Sequence, residues 1–134
     1  MNFNRIVIKV GSALISPDEN GCSGIHVQAI AHFIIKCHQA SKEVILVSSG
    51  SVAAGRQLIK HGSPVPSIPT KQAMASVGQM KMMANWQRFF DVPCSQLLIT
   101  HDDLKDRQRY INIKNTLRTL LANGIIPIVN ENDT

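Results

Sequence analysis

The amino-acid sequence predicts an α/β fold in which an open, mainly parallel sheet carries helices on both faces, as a three-layer αβα sandwich. Short apolar runs alternate along the chain with longer segments in which apolar residues recur three or four positions apart. The apolar runs are continuous, which is typical of strands that are buried on both faces. This alternation of strands and helices favours a parallel sheet with right-handed crossovers.

The first half of the chain predicts a strand, a helix, a second strand and the beginning of another helix. A β-branched apolar run at Ile6–Ile8 indicates the first strand. Apolar residues at helical spacing indicate an amphipathic helix over Gly24–Ser41. The apolar run Val44–Val47 indicates a buried strand, and a turn of serine and glycine leads from it into a helix that begins near Val52.

The middle of the chain predicts a surface loop followed by a long helix. Prolines are concentrated in His61–Pro69, which indicates a loop within one domain. The helix is predicted over Thr70–Phe90, and its packed face is predicted from apolar residues at helical spacing, which include Val77 and Met80.

The last part of the chain predicts a strand, a helix and a final strand. The apolar stretch Ser95–Ile99 indicates the third strand. A helix is predicted over Arg107–Ala122, and Gly124 supplies the left-handed residue that commonly follows a helix. The run Ile125–Val129 indicates the fourth strand.

The composition indicates one folded domain with a modest positive charge. Of the 134 residues, 44% are hydrophobic and 17% are charged, which excludes a disordered chain. The net charge is +5, but the basic residues are dispersed, so we do not expect a nucleic-acid partner. A modest positive charge suits anionic small substrates.

The cysteines and the hydropathy pattern favour a cytoplasmic protein without a metal site. The three cysteines form no CxxC pair and the histidines are scattered, so no metal site is predicted. Free cysteines fit a reducing compartment. The amino terminus lacks the apolar stretch of a signal peptide, and no apolar run approaches the roughly 20 residues of a membrane helix, so no membrane association is expected.

Lys9, Gly11 and Ser12 follow the first predicted strand and form the first candidate site. A lysine presents a compact ammonium group to a phosphate, and Gly11 lets backbone N–H groups approach it closely. The stretch matches neither the P-loop pattern nor the GxGxxG pattern. By itself it fits an exposed lysine before a turn glycine better than a phosphate site.

Ser48–Ser51 follows the second predicted strand and forms the second candidate site. Small residues at the beginning of a helix leave backbone N–H groups available, and the helix dipole favours an anion there. Serine is also a preferred helix cap, but capping explains one serine and leaves the rest of the run unexplained. Ser49, Gly50 and Ser51 are therefore candidates for binding an anion.

Asn130–Thr134 follows the fourth predicted strand and forms the third candidate site. The Asn130 amide offers a donor and an acceptor, and Asp133 offers a full negative charge, so together they suit an ammonium group. The alternative is a turn rich in Asn and Asp, although a turn needs fewer such residues. Ligands of open α/β sheets bind beyond the carboxyl ends of the strands, so we expect the three sites to surround one small zwitterionic acid beside a phosphate.

These motifs resemble those of the amino acid kinase family, on the branch that phosphorylates L-glutamate. The resemblance covers essentially the whole chain, although Ser51 stands where that branch often has alanine. It rests on Lys9–Ser12, Val47–Gly55, Lys71–Gln72, Val77–Gln79, Gln96–Leu98, Asp103, Arg107, Tyr110, Asn112 and Ile126–Asp133.

The resemblance implies ATP-dependent phosphorylation of the γ-carboxylate of L-glutamate, which is the first step of proline synthesis, with Mg²⁺ accompanying ATP. It also implies a role for each candidate residue. These roles are Lys9 as catalytic residue, Lys9, Gly11 and Ser12 as phosphate-binding residues, and Ser49, Gly50, Ser51, Asn130 and Asp133 as substrate-binding residues.

The resemblance further implies how the chain is organised. Residues 1–134 are expected to be the amino-terminal, glutamate-binding part of the kinase domain, without the nucleotide-binding half and without the PUA domain of some members. Full-length members form homo-oligomers, and proline is a feedback inhibitor to be expected. The alternative is a truncated, non-catalytic remnant or amino-acid-binding module that lacks the ATP half.

Overall fold

A computed structural model of the chain describes residues 2–16 and 24–131. The described residues form one four-stranded sheet with the order β1-β2-β4-β3, and all of its neighbouring strands are parallel. The strands are β1 (Arg5–Val10), β2 (Glu43–Ser48), β3 (Cys94–Ile99) and β4 (Ile126–Glu131). Each strand that the sequence predicts is therefore present, with bounds that differ from the predicted ones by one or two residues.

Helices follow each of the first three strands. They are α1 (Ser12–Ile15), α2 (Gln28–Gln39), α3 (Ser51–Gly55), α4 (Ile68–Gln87), α5 (His101–Lys105) and α6 (Arg107–Ala122), and a 3₁₀ turn (Arg56–Leu58) follows α3. The two short helices α1 and α5 were not expected from the sequence, because they are too short for a periodic pattern.

One face of the sheet forms the main hydrophobic core. Alternate residues of a strand point to opposite faces, so Val10, Leu46 and Ile128 share one face and belong to this core. Ile34 of α2 and Trp86 of α4 complete the core and are fully buried. Helices α2 and α4 therefore pack on the same side of the sheet.

Helix α6 lies on the other side of the sheet. The chain moves in one direction across the sheet from β1 to β2 and β3 and then returns to β4, so right-handed crossovers place α6 opposite α2 and α4. Pro127, which points away from the main core, is fully buried, and Ile113 and Leu117 of α6 are half-buried. The prediction of a parallel sheet with helices on both faces is confirmed.

Local capping decides where α4 and α5 begin. The Ser67 hydroxyl accepts a hydrogen bond from the Thr70 backbone N–H at 3.3 Å, so α4 begins at Ile68. Thr100 and Asp103 form a reciprocal capping box at α5. The hydrogen bond from the Thr100 backbone N–H is the main cause that lowers the pKa of Asp103 below its usual value.

The predicted packed face of α4 is wrong at Met80, which is 77% exposed. The buried face instead carries Met74, Gly78, Met82 and Trp86. Gly78 is the reason, because a Cβ on this residue would overlap the carbonyl oxygen of Ser51. The missing side chain allows the backbones of α3 and α4 to meet, and this contact sets the rotation of α4.

Candidate active site

The strand order leaves a crevice at the carboxyl end of β4. After β2 the chain crosses the face of the sheet that α4 covers, and after β3 it crosses the opposite face, which α6 covers. Because β4 lies between β2 and β3, its carboxyl end lies where the two connections diverge, which is the position at which α/β sheets bind ligands. Asn130 is the residue that β4 brings there.

Asn130 joins β4 to both α3 and α4. Its Nδ2 donates to Oε1 of Gln79 at 3.0 Å, and the same amide lies 3.5 Å from Oγ of Ser51. Its Oδ1 accepts from the backbone N–H of Glu131 at 2.9 Å. Asn130 is 5% exposed and Gln79 is 8% exposed, so this polar cluster is held inside the protein. Two of the predicted substrate residues, Ser51 and Asn130, are therefore neighbours.

The loops that follow β1 and β2 are also in contact. The backbone N–H of Ser49 donates to the carbonyl of Val10 at 3.1 Å. Gly50 has φ +107°, and a Cβ on it would lie 3.3 Å from Cα of Ser12 and 3.1 Å from Cβ of Ile15. A side chain at Gly50 would thus be both strained and crowded. The structure brings Ser49 and Gly50 against the segment that holds Gly11 and Ser12.

Ser48 has a structural role that the interpretation of the serine run did not anticipate. It is fully buried, and its Oγ accepts a hydrogen bond from Nε1 of Trp86 at 3.1 Å. The hydroxyl itself points to Sδ of Met82, 3.4 Å away. Ser48 therefore anchors α4 to β2, and only the later members of the run face the ligand end of the sheet.

Lys9 lies at the carboxyl end of β1, but its side chain is on the face of the sheet opposite the one that α4 covers. It pairs in register with Val47, whereas Val10 pairs with Ser48. Because successive residues alternate in direction, Lys9 points away from the face of Val10 and Ser48. Lys9, Gly11 and Ser12 are all exposed, and a Cβ on Gly11 would meet open space within 4 Å.

A cleft of about 860 Å³ opens beside the Asn130 cluster. It is bordered by cations, amides, hydroxyls, one carboxylate and a few apolar side chains. The lining residues are Ser51, Val52, Arg56, Ile68, Lys71, Gln72, Ala75, Ser76, Gln79, Met80, Gln96, Leu98 and Glu131. The mixture suits an anionic small molecule that also makes amide hydrogen bonds.

The acidic residues at the end of β4 are described only as far as Glu131. Asp133 lies outside the described residues. Glu131 is the acidic residue of β4 that the structure does place, and its Oε1 lies 3.2 Å from Nε2 of His101. Lys9 is not among the residues that border the described cleft, and Ser51 and Asn130 lie within 3.5 Å of each other beside it.

A sequence profile of the amino acid kinase family matches residues 4–134. The chain belongs to the amino acid kinase family. The expectation from the sequence motifs is thus confirmed at the level of the family, and the four-stranded parallel sheet with its helices is consistent with that family's fold.

Individual relatives are also similar over nearly the whole chain. It is 53% identical over 133 residues to "Glutamate 5-kinase 1" of Pseudoalteromonas translucida, 54% identical over 132 residues to "Glutamate 5-kinase" of Idiomarina loihiensis, and 53% identical over 135 residues to "Glutamate 5-kinase" of Salinibacter ruber. The matches cover 98–99% of this chain but 36% of each relative. The chain thus spans about a third of the length of these proteins.

Several polar residues that border the cleft were not predicted to lie there from the sequence. Gln72, Ser76 and Gln79 lie at helical spacing on α4 and could have been recognised as a polar stripe. Apolar spacing alone carried the prediction of α4 and its packed face. Arg56 and Gln96 come from a 3₁₀ turn and from β3, and only the folded chain brings them to the same cleft.

Within residues 2–16 and 24–131, no helix is long and apolar enough to cross a membrane. The same residues contain no group of three or more His, Cys, Asp or Glu side chains that could hold a metal ion.

Proposed function

We propose that this chain is the L-glutamate-binding part of a glutamate 5-kinase, in which the terminal phosphoryl group of ATP is transferred to the γ-carboxylate of L-glutamate. The observation that carries the proposal is the buried contact of Asn130 with Ser51 and Gln79 beside a cleft that also holds Arg56 and Lys71. The similarity to proteins that are named glutamate 5-kinase supports the same substrate.

The cleft is assigned to the amino acid. Arg56 and Lys71 give it a positive potential that attracts a dicarboxylate, and Ser49, Gly50 and Ser51 are proposed to hold the substrate carboxylates. Asn130, together with Asp133 of the following segment, is proposed to bind the amino-acid end of L-glutamate. These hydrogen bonds orient the γ-carboxylate, which is already a nucleophile at neutral pH, so catalysis depends on position more than on a general base.

The end of β1 is assigned to the phosphates. Lys9 is proposed as the catalytic residue that neutralises the charge developing on the transferred phosphoryl group, and Gly11 and Ser12 offer backbone N–H groups. The open space above Gly11 and the exposure of Lys9 fit this assignment. ATP, with Mg²⁺, supplies the phosphoryl group when bound, and we assign no described residue to the metal.

Calorimetry with L-glutamate tests the substrate assignment. We expect the wild-type chain to bind L-glutamate at one site and to bind L-glutamine at least tenfold more weakly, because the amide removes the charge that Arg56 and Lys71 attract. Asn130→Ala should weaken the affinity for L-glutamate at least tenfold.

Asn115→Ala is the matched control, since Asn115 is an exposed asparagine of α6 that does not border the described cleft. It should leave both the affinity and the stability unchanged. A folded wild-type chain that releases no heat with L-glutamate, or an Asn130→Ala variant that binds as well as Asn115→Ala, would contradict the assignment.

A further inference from the structure

The hydrogen-bond relay at the end of β4 has a direction that the backbone determines. The backbone N–H of Glu131 can only donate, so the atom of Asn130 that it meets at 2.9 Å must be the acceptor Oδ1. The other end of the Asn130 amide is then the donor Nδ2. This donor meets Gln79 at 3.0 Å, so the Gln79 atom at that contact is the acceptor Oε1.

The same logic determines the remaining atom of Gln79. With Oε1 held by Asn130, the Nε2 amide must occupy the other end of the side chain. Nε2 is buried and has no hydrogen-bond partner among the residues that the structure describes. Gln79 is 8% exposed and borders the cleft, so this unused donor lies inside the protein beside the proposed ligand.

A buried amide donor without a partner is destabilising because nothing replaces its hydration, and the contact with Asn130 uses only the acceptor atom of Gln79. A ligand oxygen that accepts a hydrogen bond from Nε2 compensates for this lost hydration, so the same donor contributes to the affinity for the ligand. The neighbouring charges indicate which oxygen this is, because Arg56 and Lys71 favour an anion in the same cleft.

We propose that Gln79 is a further specificity-determining residue of the amino-acid site, and that its Nε2 donates a hydrogen bond to a carboxylate oxygen of the substrate. This inference rests on the proposed function for the identity of the substrate. It adds Gln79 to the proposed substrate-binding residues. Because the Glu131–Asn130–Gln79 relay leaves a donor at Nε2, a substrate acceptor fits beside this atom and an ammonium group does not.

Gln79→Glu isolates the donor. A carboxylate has nearly the shape of the amide and still accepts from Nδ2 of Asn130, but it replaces the Nε2 donor by a negative oxygen. We expect at least a tenfold loss of L-glutamate affinity by calorimetry, with a thermal unfolding midpoint close to that of the wild type. Loss of the Nε2 cross-peak in the ¹H–¹⁵N spectrum of this variant also assigns that group in the wild-type protein.

Gln72→Glu is the matched control. Gln72 borders the same cleft on the same helix, about two turns before Gln79, and it is exposed. The substitution brings the same charge into the cleft without touching the relay, so it should weaken L-glutamate binding less than threefold. Equal losses in the two variants would mean that the charge of the cleft, and no hydrogen bond from Gln79, decides the affinity.

Titration of the wild-type Gln79 side-chain amide with L-glutamate, succinate and inorganic phosphate separates the inference from the function on which it rests. A shift with L-glutamate together with the selective Gln79→Glu loss supports both. Binding of L-glutamate without a shift, or without the selective loss, overturns the inference and leaves the function. A shift with succinate or phosphate but no binding of L-glutamate keeps the donor role and overturns the substrate. No shift with any probe overturns the inference, and the wild-type titration decides the question even if Gln79→Glu does not fold.

Discussion

Gln79 and Gln87 lie about two turns apart on α4, at opposite ends of the sheet, and their side chains make different sets of hydrogen bonds. At the amino end of the strands, Nε2 of Gln87 donates to the carbonyls of Phe90 and Val92 at 3.2 and 2.9 Å. Its Oε1 accepts from the backbone N–H of Cys94 at 2.8 Å. At the carboxyl end, Gln79 uses Oε1 and leaves Nε2 without a partner among the described residues.

The difference shows how one helix serves two purposes. Gln87 has all of its hydrogen-bonding groups occupied by backbone, so it closes the turn before β3 and belongs to the folded framework. Gln79 is only half occupied, so part of its hydrogen-bonding capacity remains for a ligand. Substitutions at the two ends should therefore separate stability from binding.

The largest expected effect comes from Gly78→Ala. The added Cβ would overlap the Ser51 carbonyl oxygen and lie 2.7 Å from the backbone nitrogen of Gly55, and backbone atoms cannot move aside cheaply. We expect a loss of about 3 kcal/mol in the free energy of unfolding in urea, although alanine is by itself the better helix former. L-glutamate affinity should fall too, because α3 carries Ser51 against the Asn130 cluster.

Gly62→Ala is the matched control for Gly78→Ala. A Cβ on Gly62 would meet open space, and the residue is exposed. The free energy of unfolding should change by less than about 0.5 kcal/mol. Equal stability of the two variants would show that the close approach of α3 and α4 is not required.

A smaller effect is expected from Gln87→Met, which keeps the size of the side chain but removes its hydrogen bonds. The N–H of Cys94 and the carbonyls of Phe90 and Val92 would lose their partner, so we expect a loss of about 2 kcal/mol in urea unfolding. L-glutamate affinity should stay within about twofold of the wild type, since such a change is far from the cleft. If Gln87→Met weakens binding as strongly as Gln79→Glu, the proposed division between the two ends of α4 is wrong.

Two neighbouring serines give a further test of the same division. Ser48→Ala leaves Nε1 of Trp86 buried without its acceptor, so we expect a loss of about 1–2 kcal/mol in the free energy of unfolding. Ser49→Ala removes only a long contact of 3.4 Å to the Val10 carbonyl, so stability should change by less than about 0.5 kcal/mol while L-glutamate affinity falls. If Ser48→Ala weakened binding and Ser49→Ala weakened stability, the roles assigned to the two serines would be wrong.

Most of the framework could be predicted because its elements depend on local patterns. The bounds of α6 agree with the predicted Arg107–Ala122, and Gly124 has the expected left-handed conformation with φ +70°. The strands follow from continuous apolar runs. The face of α4 could not be predicted from apolar spacing, because a contact between the backbones of Gly78 and Ser51 decides it.

The candidate site was predictable only in part for a similar reason. Asn130 and Ser51 were expected at the strand ends, and the fold places them together. Gln79 was not assigned to the site, since its role depends on a hydrogen bond between residues that are far apart in the sequence. The direction of Lys9 depends on the register of β1 with β2, and the residue type alone carries no information about that register.

The smallest expected effect is a dependence of stability on alkaline pH at the amino end of β3. Burial raises the pKa of the Cys94 thiol from its ordinary value of 9.0 to about 11. Between these values the unfolded chain has released the proton that the folded chain still holds, so stability is complete below pH 9 and falls as the pH rises towards 11.

Comparison of the wild type with Cys94→Ser isolates this contribution, because all other titrating groups are shared. When the pH is raised from 8 to 10, the urea midpoint of the wild type should fall relative to that of Cys94→Ser. We expect the change to remain below about 1 kcal/mol, since the side chain is only half-buried and solvent reduces the penalty. L-glutamate affinity should respond equally to pH in both proteins, because Cys94 lies at the opposite end of the sheet from Asn130. If Cys94→Ser binds L-glutamate differently from the wild type at pH 10, a change at the amino end of the sheet affects binding at the carboxyl end. The division of roles between Gln87 and Gln79 would then be wrong.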